Sequence, residues 1–166
     1  MIELIILDVD GTMTDGKITY TDRGEELKSF CVKDGLAIAS WIKLGKKVAI
    51  ITGRESKIVE NRAKELNIDF FYQRVKEKDK KAEEILKALN ISWQNVAAIG
   101  DDLNDYSMLK RAALSFMPRD GSPFLEKVVT KKLTKDGGKG AVREMIEYIL
   151  QKENLLEDFF KIWEVK

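Results

Sequence analysis

Residues 1–12 read MIELIILDVDGT. From Ile2 to Leu7 the chain is apolar but for Glu3 and rich in isoleucine, which marks a strand covered on both faces. The pattern recurs at Val48–Ile51 (VAII) and Val96–Ile99 (VAAI). Between these runs, apolar residues fall at helical spacing: Leu36, Ile38, Ala39 and Ile42; Ile58, Val59, Ala63 and Leu66; Ala82, Ile85, Leu86 and Leu89. Strand and helix alternate, so the order predicts an α/β fold, doubly wound, with a three-layer Rossmann-like parallel sheet. Further strands are expected at Asp69–Tyr72, Leu114–Met117 and Lys127–Thr130, and an amphipathic helix over Ala141–Gln151.

Residues 16–31, GKITYTDRGEELKSFC, break the alternation. Two β-type runs flank the turn signal Asp22-Arg23-Gly24, which predicts a small β-hairpin flap at the first strand–helix junction. At the other end, Leu155, Leu156, Phe159, Phe160 and Trp163 space large apolar groups along one face of a helical tail at about 152–166. That face can pack on its own domain or dock on a neighbouring subunit. A chain of 166 residues suits a single domain over 1–166.

Composition excludes several classes of function. The 29 Lys and Arg residues against 28 Asp and Glu leave a formal charge of +1, giving no field for nucleic acid or an anionic membrane. No apolar run reaches bilayer-spanning length. The absence of histidine removes Ser-His-Asp triads, Cys-His pairs and histidine zinc sites. Proton transfer therefore falls to Asp, Glu, Lys or Tyr. The single cysteine, Cys31, suits a reducing compartment, and the opening is too short and acidic for a secretory signal. The expected location is cytoplasmic.

Each buried run ends in a polar cluster: Asp8-Val9-Asp10-Gly11-Thr12, Thr52-Gly53-Arg54, and Gly100-Asp101-Asp102-Leu103-Asn104-Asp105. Side chains just past the carboxyl ends of parallel strands meet in the crevice where strand order reverses. Carboxylates gathered there repel one another unless a cation intervenes, and hard oxygen donors select Mg²⁺. Asp8 and Asp10 flank one residue, and their side chains are expected to leave opposite faces and take different roles. A carboxylate held against Mg²⁺ is a competent nucleophile toward phosphorus; the second acid can protonate the leaving alkoxide and later activate water. Thr52 offers a hydroxyl donor, and the backbone N–H groups of Gly11 and Gly53 allow close approach of phosphate oxygens. Lys78 can balance charge on those oxygens and on Asp8, whereas Lys76, Lys80 and Lys81 read as a solvated face. Arg62 shares the apolar stripe of its helix, where it either snorkels to the edge or has an anionic partner.

With these residues in place, nearly all of 1–150 resembles the haloacid-dehalogenase-type phosphatases. The resemblance implies Asp8 as nucleophile and metal ligand, Asp10 as general acid/base and backbone metal ligand, Asp101 as metal ligand, and Asp105 as support for the metal site or its waters. It likewise implies Thr52 as a phosphate-binding residue and Lys78 as the superfamily lysine. That superfamily usually closes its site with a cap domain, but neither Asp10–Thr52 nor Lys78–Asp101 is long enough to hold one. The simplest cover for an open site is another copy of the chain, so a homo-oligomer with shared sites is expected.

The stretches DVDGTMTDGKI, GEELKSFCVKDGLAI, AIITGRES and GGKGAVRE resemble the family of 3-deoxy-D-manno-octulosonate 8-phosphate (KDO 8-phosphate) phosphatases, capless tetramers of lipopolysaccharide sugar synthesis. The resemblance implies that Lys33-Asp34-Gly35, with Gly53, Arg54, Arg62 and Lys78, contacts the sugar phosphate, and that hairpins of the subunits associate. Two positions depart from the family pattern: Cys31, where relatives often carry Asn, and Lys33, where they often carry Arg, a change that loses a bidentate carboxylate contact. Gly137–Arg143 is either a helix-initiating loop or a charged lid supplying Lys139 or Arg143. Rival readings are a phosphatase of another sugar-acid phosphate, such as an N-acylneuraminate 9-phosphate, and a phospho-accepting receiver domain.

Overall fold

The computed structural model describes residues 1–165. Its main sheet has six strands, β1 (Leu4–Leu7), β4 (Lys47–Ile51), β5 (Phe70–Tyr72), β6 (Val96–Ile99), β7 (Leu114–Met117) and β8 (Lys131–Lys132), in the order β5-β4-β1-β6-β7-β8. Every neighbouring pair is parallel. Helices α1 (Val32–Lys43), α2 (Lys57–Glu65), α3 (Lys78–Leu89), α4 (Tyr106–Arg111), α5 (Ala141–Lys152) and α6 (Leu156–Ile162) cover the faces. The chain builds β1, β4 and β5 outward to one side and then returns through β6 to the other side of β1. The strand order therefore reverses between β1 and β6, as a doubly wound sheet requires.

Alternation along each strand divides the apolar residues between two cores. Ile5, Leu7, Val48, Ile50, Ala97 and Ile99 pack with Ala37, Ile38 and Trp41 of α1 and with Val142, Met145, Ile146 and Ile149 of α5. Leu4, Ile6, Ala49, Ile51, Val96 and Ala98 pack with Ala82, Ile85 and Leu86 of α3 and with Met108 and Leu109 of α4. Both faces of the three central strands are thus covered, which is why these strands lack polar alternation.

The flap is a two-stranded hairpin, β2 (Thr19–Tyr20) antiparallel to β3 (Glu26–Leu27). Gly24 closes its turn at φ +80°, donating its N–H to the Thr21 carbonyl at 3.0 Å. No cap domain interrupts the described residues.

Three local expectations need correction. The last strand is at Lys131–Lys132 rather than Lys127–Thr130. The Ser115 N–H donates to Thr130 Oγ1 at 2.9 Å and the Thr130 N–H to Ser115 Oγ at 3.1 Å; side chains there replace the backbone ladder, which starts one residue later. On α1 the buried face runs through Ala37, Ile38 and Trp41, and Leu36 is exposed, because the helix is rotated to seat the indole of Trp41. In β1 the ladder begins at Leu4 rather than Ile2. Ile2 is buried, but its N–H donates to Glu153 Oε1 at 2.6 Å.

The tail packs on its own core. Phe159 of α6 is buried with Leu155 and Leu156 beside it, and the Trp163 indole N–H donates to Ser40 Oγ at 3.0 Å. Phe160 remains exposed.

Candidate active site

Strands β1, β4 and β6 end side by side, with Leu7 opposite both Ile50 and Ile99. The residues that follow them are therefore delivered to one edge. Asp8 continues the ladder by one bond, its N–H donating to the Ile99 carbonyl at 3.1 Å. Beyond it the chain winds tightly, with the amides of Thr12, Met13 and Thr14 all directed at the Val9 carbonyl at 2.9–3.1 Å. Gly11 makes this winding possible. Its φ is +91°, and a Cβ there would lie 1.9 Å from Asp101 Oδ2, so only glycine lets the β1 and β6 loops close on each other.

Between these loops lies a crevice of about 270 Å³, lined by Asp8, Asp10, Thr52, Gly53, Arg54 and Asp101, with Gly16, Asp102 and Asn104. A larger hollow of about 460 Å³ runs along α2 beside Glu26; chemistry, not size, selects the crevice. Carboxylate oxygens of Asp8, Asp101 and Asp105 lie within 4.8 Å of one another. Lys78, the first residue of α3 and 1% exposed, places its ammonium 2.6 Å from Asp8 Oδ1 and 2.5 Å from Asp105 Oδ1. Asp105 Oδ2 accepts the N–H groups of Asp101 and Asp102 at 3.0 and 3.3 Å. Both oxygens of Asp105 are thus engaged in holding Lys78 and the β6 loop. Of the other lysines near the start of α3, Lys76 and Lys80 are exposed and Lys81 lies over the Tyr72 ring, in keeping with a solvated face.

Three acids against one buried ammonium leave an excess of negative charge in a poorly solvated place. Burial pushes the Asp8 carboxyl above the usual carboxylate range, the Asp105 charge adds to this, and Lys78 only partly opposes them. Burial likewise raises Asp101, reinforced by the charges of Asp8 and Asp105. Burial would depress the Lys78 ammonium, yet the two carboxylates beside it outweigh that effect and raise it. Among the described residues Asp101 has no cationic partner. An array of hard oxygens that resists ionisation, with one acid unpaired, suits a small divalent cation such as Mg²⁺.

Asp10 does not leave the opposite face: it lines the same crevice as Asp8, since side chains two residues apart on extended backbone share a face. Its Oδ1 accepts from Lys28, and its Oδ2 lies 3.9 Å from Arg54 Nε. Glu26 completes this group, 3.2 Å from the Lys28 ammonium and 3.1 Å from Arg54 Nη2. Sequence reasoning passed over Lys28 and Glu26. The signal was present, because in a hairpin residues 26 and 28 share a face opposite the exposed Leu27.

The structure gathers Asp8, Asp10, Thr52, Gly53, Arg54, Lys78, Asp101 and Asp105. Lys33, Asp34, Gly35 and Arg62 lie apart, on α1 and α2, and do not line this crevice. Lys33 is exposed. Asp34 is 3% exposed and accepts the Arg143 N–H at 2.8 Å, capping the start of α5. Gly35 makes room for Arg62, whose Nη2 would lie 2.5 Å from a Cβ at that position. The Arg62 guanidinium also stacks over Phe30 and pairs with Glu65 at 2.9 Å, while its Nε is buried without a partner. Gly137–Arg143 packs as a helix-initiating loop within this chain. The Gly138 N–H donates to the Thr12 carbonyl at 3.0 Å, bracing the loop that carries Asp8 and Asp10, and Arg143 pairs with Glu147 at 2.5 Å.

Residues 30–113 match the family described as haloacid dehalogenase-like hydrolase. The 3-deoxy-D-manno-octulosonate 8-phosphate phosphatase KdsC of Escherichia coli K12 is 40% identical over 157 residues, spanning 95% of this chain and 84% of that protein. The crystal structure of the Yersinia pestis enzyme of the same name superposes with a TM-score of 0.91 at 42% identity, covering 94% of this chain and 84% of that one. The Moraxella catarrhalis enzyme, solved with magnesium, phosphate and KDO, gives a TM-score of 0.94 at 38% identity, covering 98% and 93%.

Proposed function

The chain belongs to the haloacid dehalogenase-like hydrolase family, and from that membership we propose a Mg²⁺-dependent phosphatase that hydrolyses 3-deoxy-D-manno-octulosonate 8-phosphate to KDO and phosphate. The observation that carries the reading is the convergence of Asp8, Asp101 and Asp105 around Lys78 at the edge where β1 and β6 part. Relatives about 40% identical along nearly the whole chain carry that name.

Asp8 is the nucleophile: its carboxylate oxygen attacks phosphorus as the ester bond breaks, giving an aspartyl-phosphate. Asp10, which lines the same crevice, gives its proton to the departing sugar oxygen. It then takes one from the water that releases phosphate and restores Asp8. Thr52 and the N–H group of Gly53 hold the phosphoryl oxygens, the Gly11 N–H being taken by Thr14 Oγ1 at 3.2 Å, and Lys78 neutralises charge on them and on Asp8. Asp8, Asp101 and the Asp10 carbonyl would hold the metal, and Asp105 supports them through Lys78 and the β6 loop. When bound, Mg²⁺ supplies positive charge for the transferring phosphoryl group and relieves the repulsion among the acids.

No helix among the described residues is long and apolar enough to cross a membrane. We place the enzyme in the cytoplasm, at the phosphate-release step of lipopolysaccharide sugar synthesis. The assembly proposed is a homotetramer joined through the hairpins, which expose Ile18, Tyr20 and Leu27. In it Lys33 and Arg62 serve a sugar phosphate bound between subunits, with Asp34 holding the start of α5 and Gly35 making room for Arg62.

A phosphate-release screen of sugar-acid phosphates with Mg²⁺ tests this reading. Preference for KDO 8-phosphate supports it. Preference for an N-acylneuraminate 9-phosphate, or a flat profile favouring small generic esters, would overturn the substrate. Phosphate retained on the protein without turnover would favour a receiver domain.

A further inference from the structure

The hairpin does more than project from the sheet. Its residue Lys28 has a side chain only 1% exposed, yet it belongs to neither apolar core. The burial of a lysine without a structural partner in the core calls for an anion, and the anions present are Asp10 Oδ1 and Glu26. An ammonium has three donors and no acceptor, so the oxygen of Asp10 that it holds cannot itself offer a proton to a substrate. Among the described residues the other oxygen, Oδ2, pairs with no group except Arg54, at 3.9 Å, and Asp10 lines the crevice.

We infer that Lys28 is a positioning residue for the acid step: by holding Oδ1 of Asp10, the flap presents Oδ2 to the leaving group. The inference rests on the phosphatase reading above. In the step concerned, the bond from Asp8 oxygen to phosphorus forms and the phosphorus–ester oxygen bond breaks. The proton on Asp10 Oδ2 passes to that ester oxygen, which departs as a neutral alcohol. The Asp10 carboxylate left behind keeps Lys28 against one oxygen and Arg54 near the other. Glu26 holds both cations in place, 3.2 Å from the Lys28 ammonium and 3.1 Å from Arg54 Nη2.

The test is kcat/KM of the full-length enzyme with Mg²⁺ over phenyl phosphates of graded leaving-group basicity, because this constant covers the steps up to departure of the alcohol. Lys28→Met should lose about 10- to 100-fold on the esters with the most basic leaving groups and less than about 3-fold on p-nitrophenyl phosphate, whose anion leaves without a proton. Lys28→Arg should recover most of the loss. Lys28→Gln carries the same series should the methionine variant fail to fold. A loss uniform across the series, or no loss, would overturn the inference while leaving the phosphatase intact. Failure of the unaltered enzyme to release phosphate from any ester would instead sink the reading on which it rests.

Discussion

The protein buries aspartate in two places, and they are built differently. At the crevice, Asp8 and Asp105 share one ammonium and Asp101 has none beside it. At the junction of α1 and α5, Asp34 accepts the Arg143 N–H at 2.8 Å with the positive end of α5 ahead of it. The second aspartate is answered by one backbone donor and a helix dipole, its Oδ2 buried without a partner, and it ties two elements together. The first group is left short of positive charge, an arrangement that stability alone would remove. Burial of an acid therefore does not mark function; burial among like charges does.

That contrast can be broken from either end. The largest effect is expected from Asp8→Asn, since an amide is a poor nucleophile and a weak Mg²⁺ ligand. Turnover should fall by on the order of 10³-fold or more, while melting in EDTA should be unchanged or higher because a crowded charge is gone. Phosphate-release kinetics and thermal melts together check this. Chelation should abolish activity, added Mg²⁺ should restore it, and the melting temperature should rise with Mg²⁺ concentration.

Next in size is Lys78→Met, which strands two carboxylates with no ammonium. It should destabilise the metal-free protein by about 3–5 kcal/mol in denaturant titration.

On the structural side, Asp34→Ala should cost about 1–3 kcal/mol at pH below about 4 by leaving α5 uncapped. Its pH dependence has a definite sign. Burial raises the folded-state pKa of Asp34 to about 6, above its value in the unfolded chain, so the native state holds the proton more tightly. The contribution of Asp34 to stability is then full at low pH, falls as pH rises from about 4, and is lost above about 6. Asp34→Asn removes that titration, so its stability relative to the natural protein should improve across the same window, as read by urea melts at several pH values.

The smallest effect concerns Cys31, which occupies the N-cap of α1 without a side-chain hydrogen bond. Cys31→Asn should add about 1 kcal/mol to stability.

Much of this was legible in the sequence because its signals are local. The unbroken runs at Leu4–Leu7, Val48–Ile51 and Val96–Ile99 are strands because both faces are covered, and the polar residues just past them must converge once the sheet is parallel. Asp8, Thr52 and Asp101 were readable for that reason. What escaped depends on contacts that no periodicity encodes. The rotation of α1 follows from seating Trp41, and the delayed start of β8 follows from the Ser115–Thr130 exchange. The pairing of Lys28 with Asp10 needs the hairpin folded back over the first loop. Asp34 shows the opposite difficulty: its motif suggested ligand contact, whereas the described chain uses it to hold α5.

The central claim is that the under-neutralised acids exist so that Asp8 can take a phosphoryl group. Acid quenching of the enzyme during turnover of KDO 8-phosphate with Mg²⁺, followed by peptide mass spectrometry, tests it most directly. The account predicts a hydroxylamine-sensitive phosphoryl group on the peptide carrying Asp8, absent from Asp8→Asn. Steady phosphate release by an Asp8→Asn protein, or a phosphoryl group found on another residue, would contradict it.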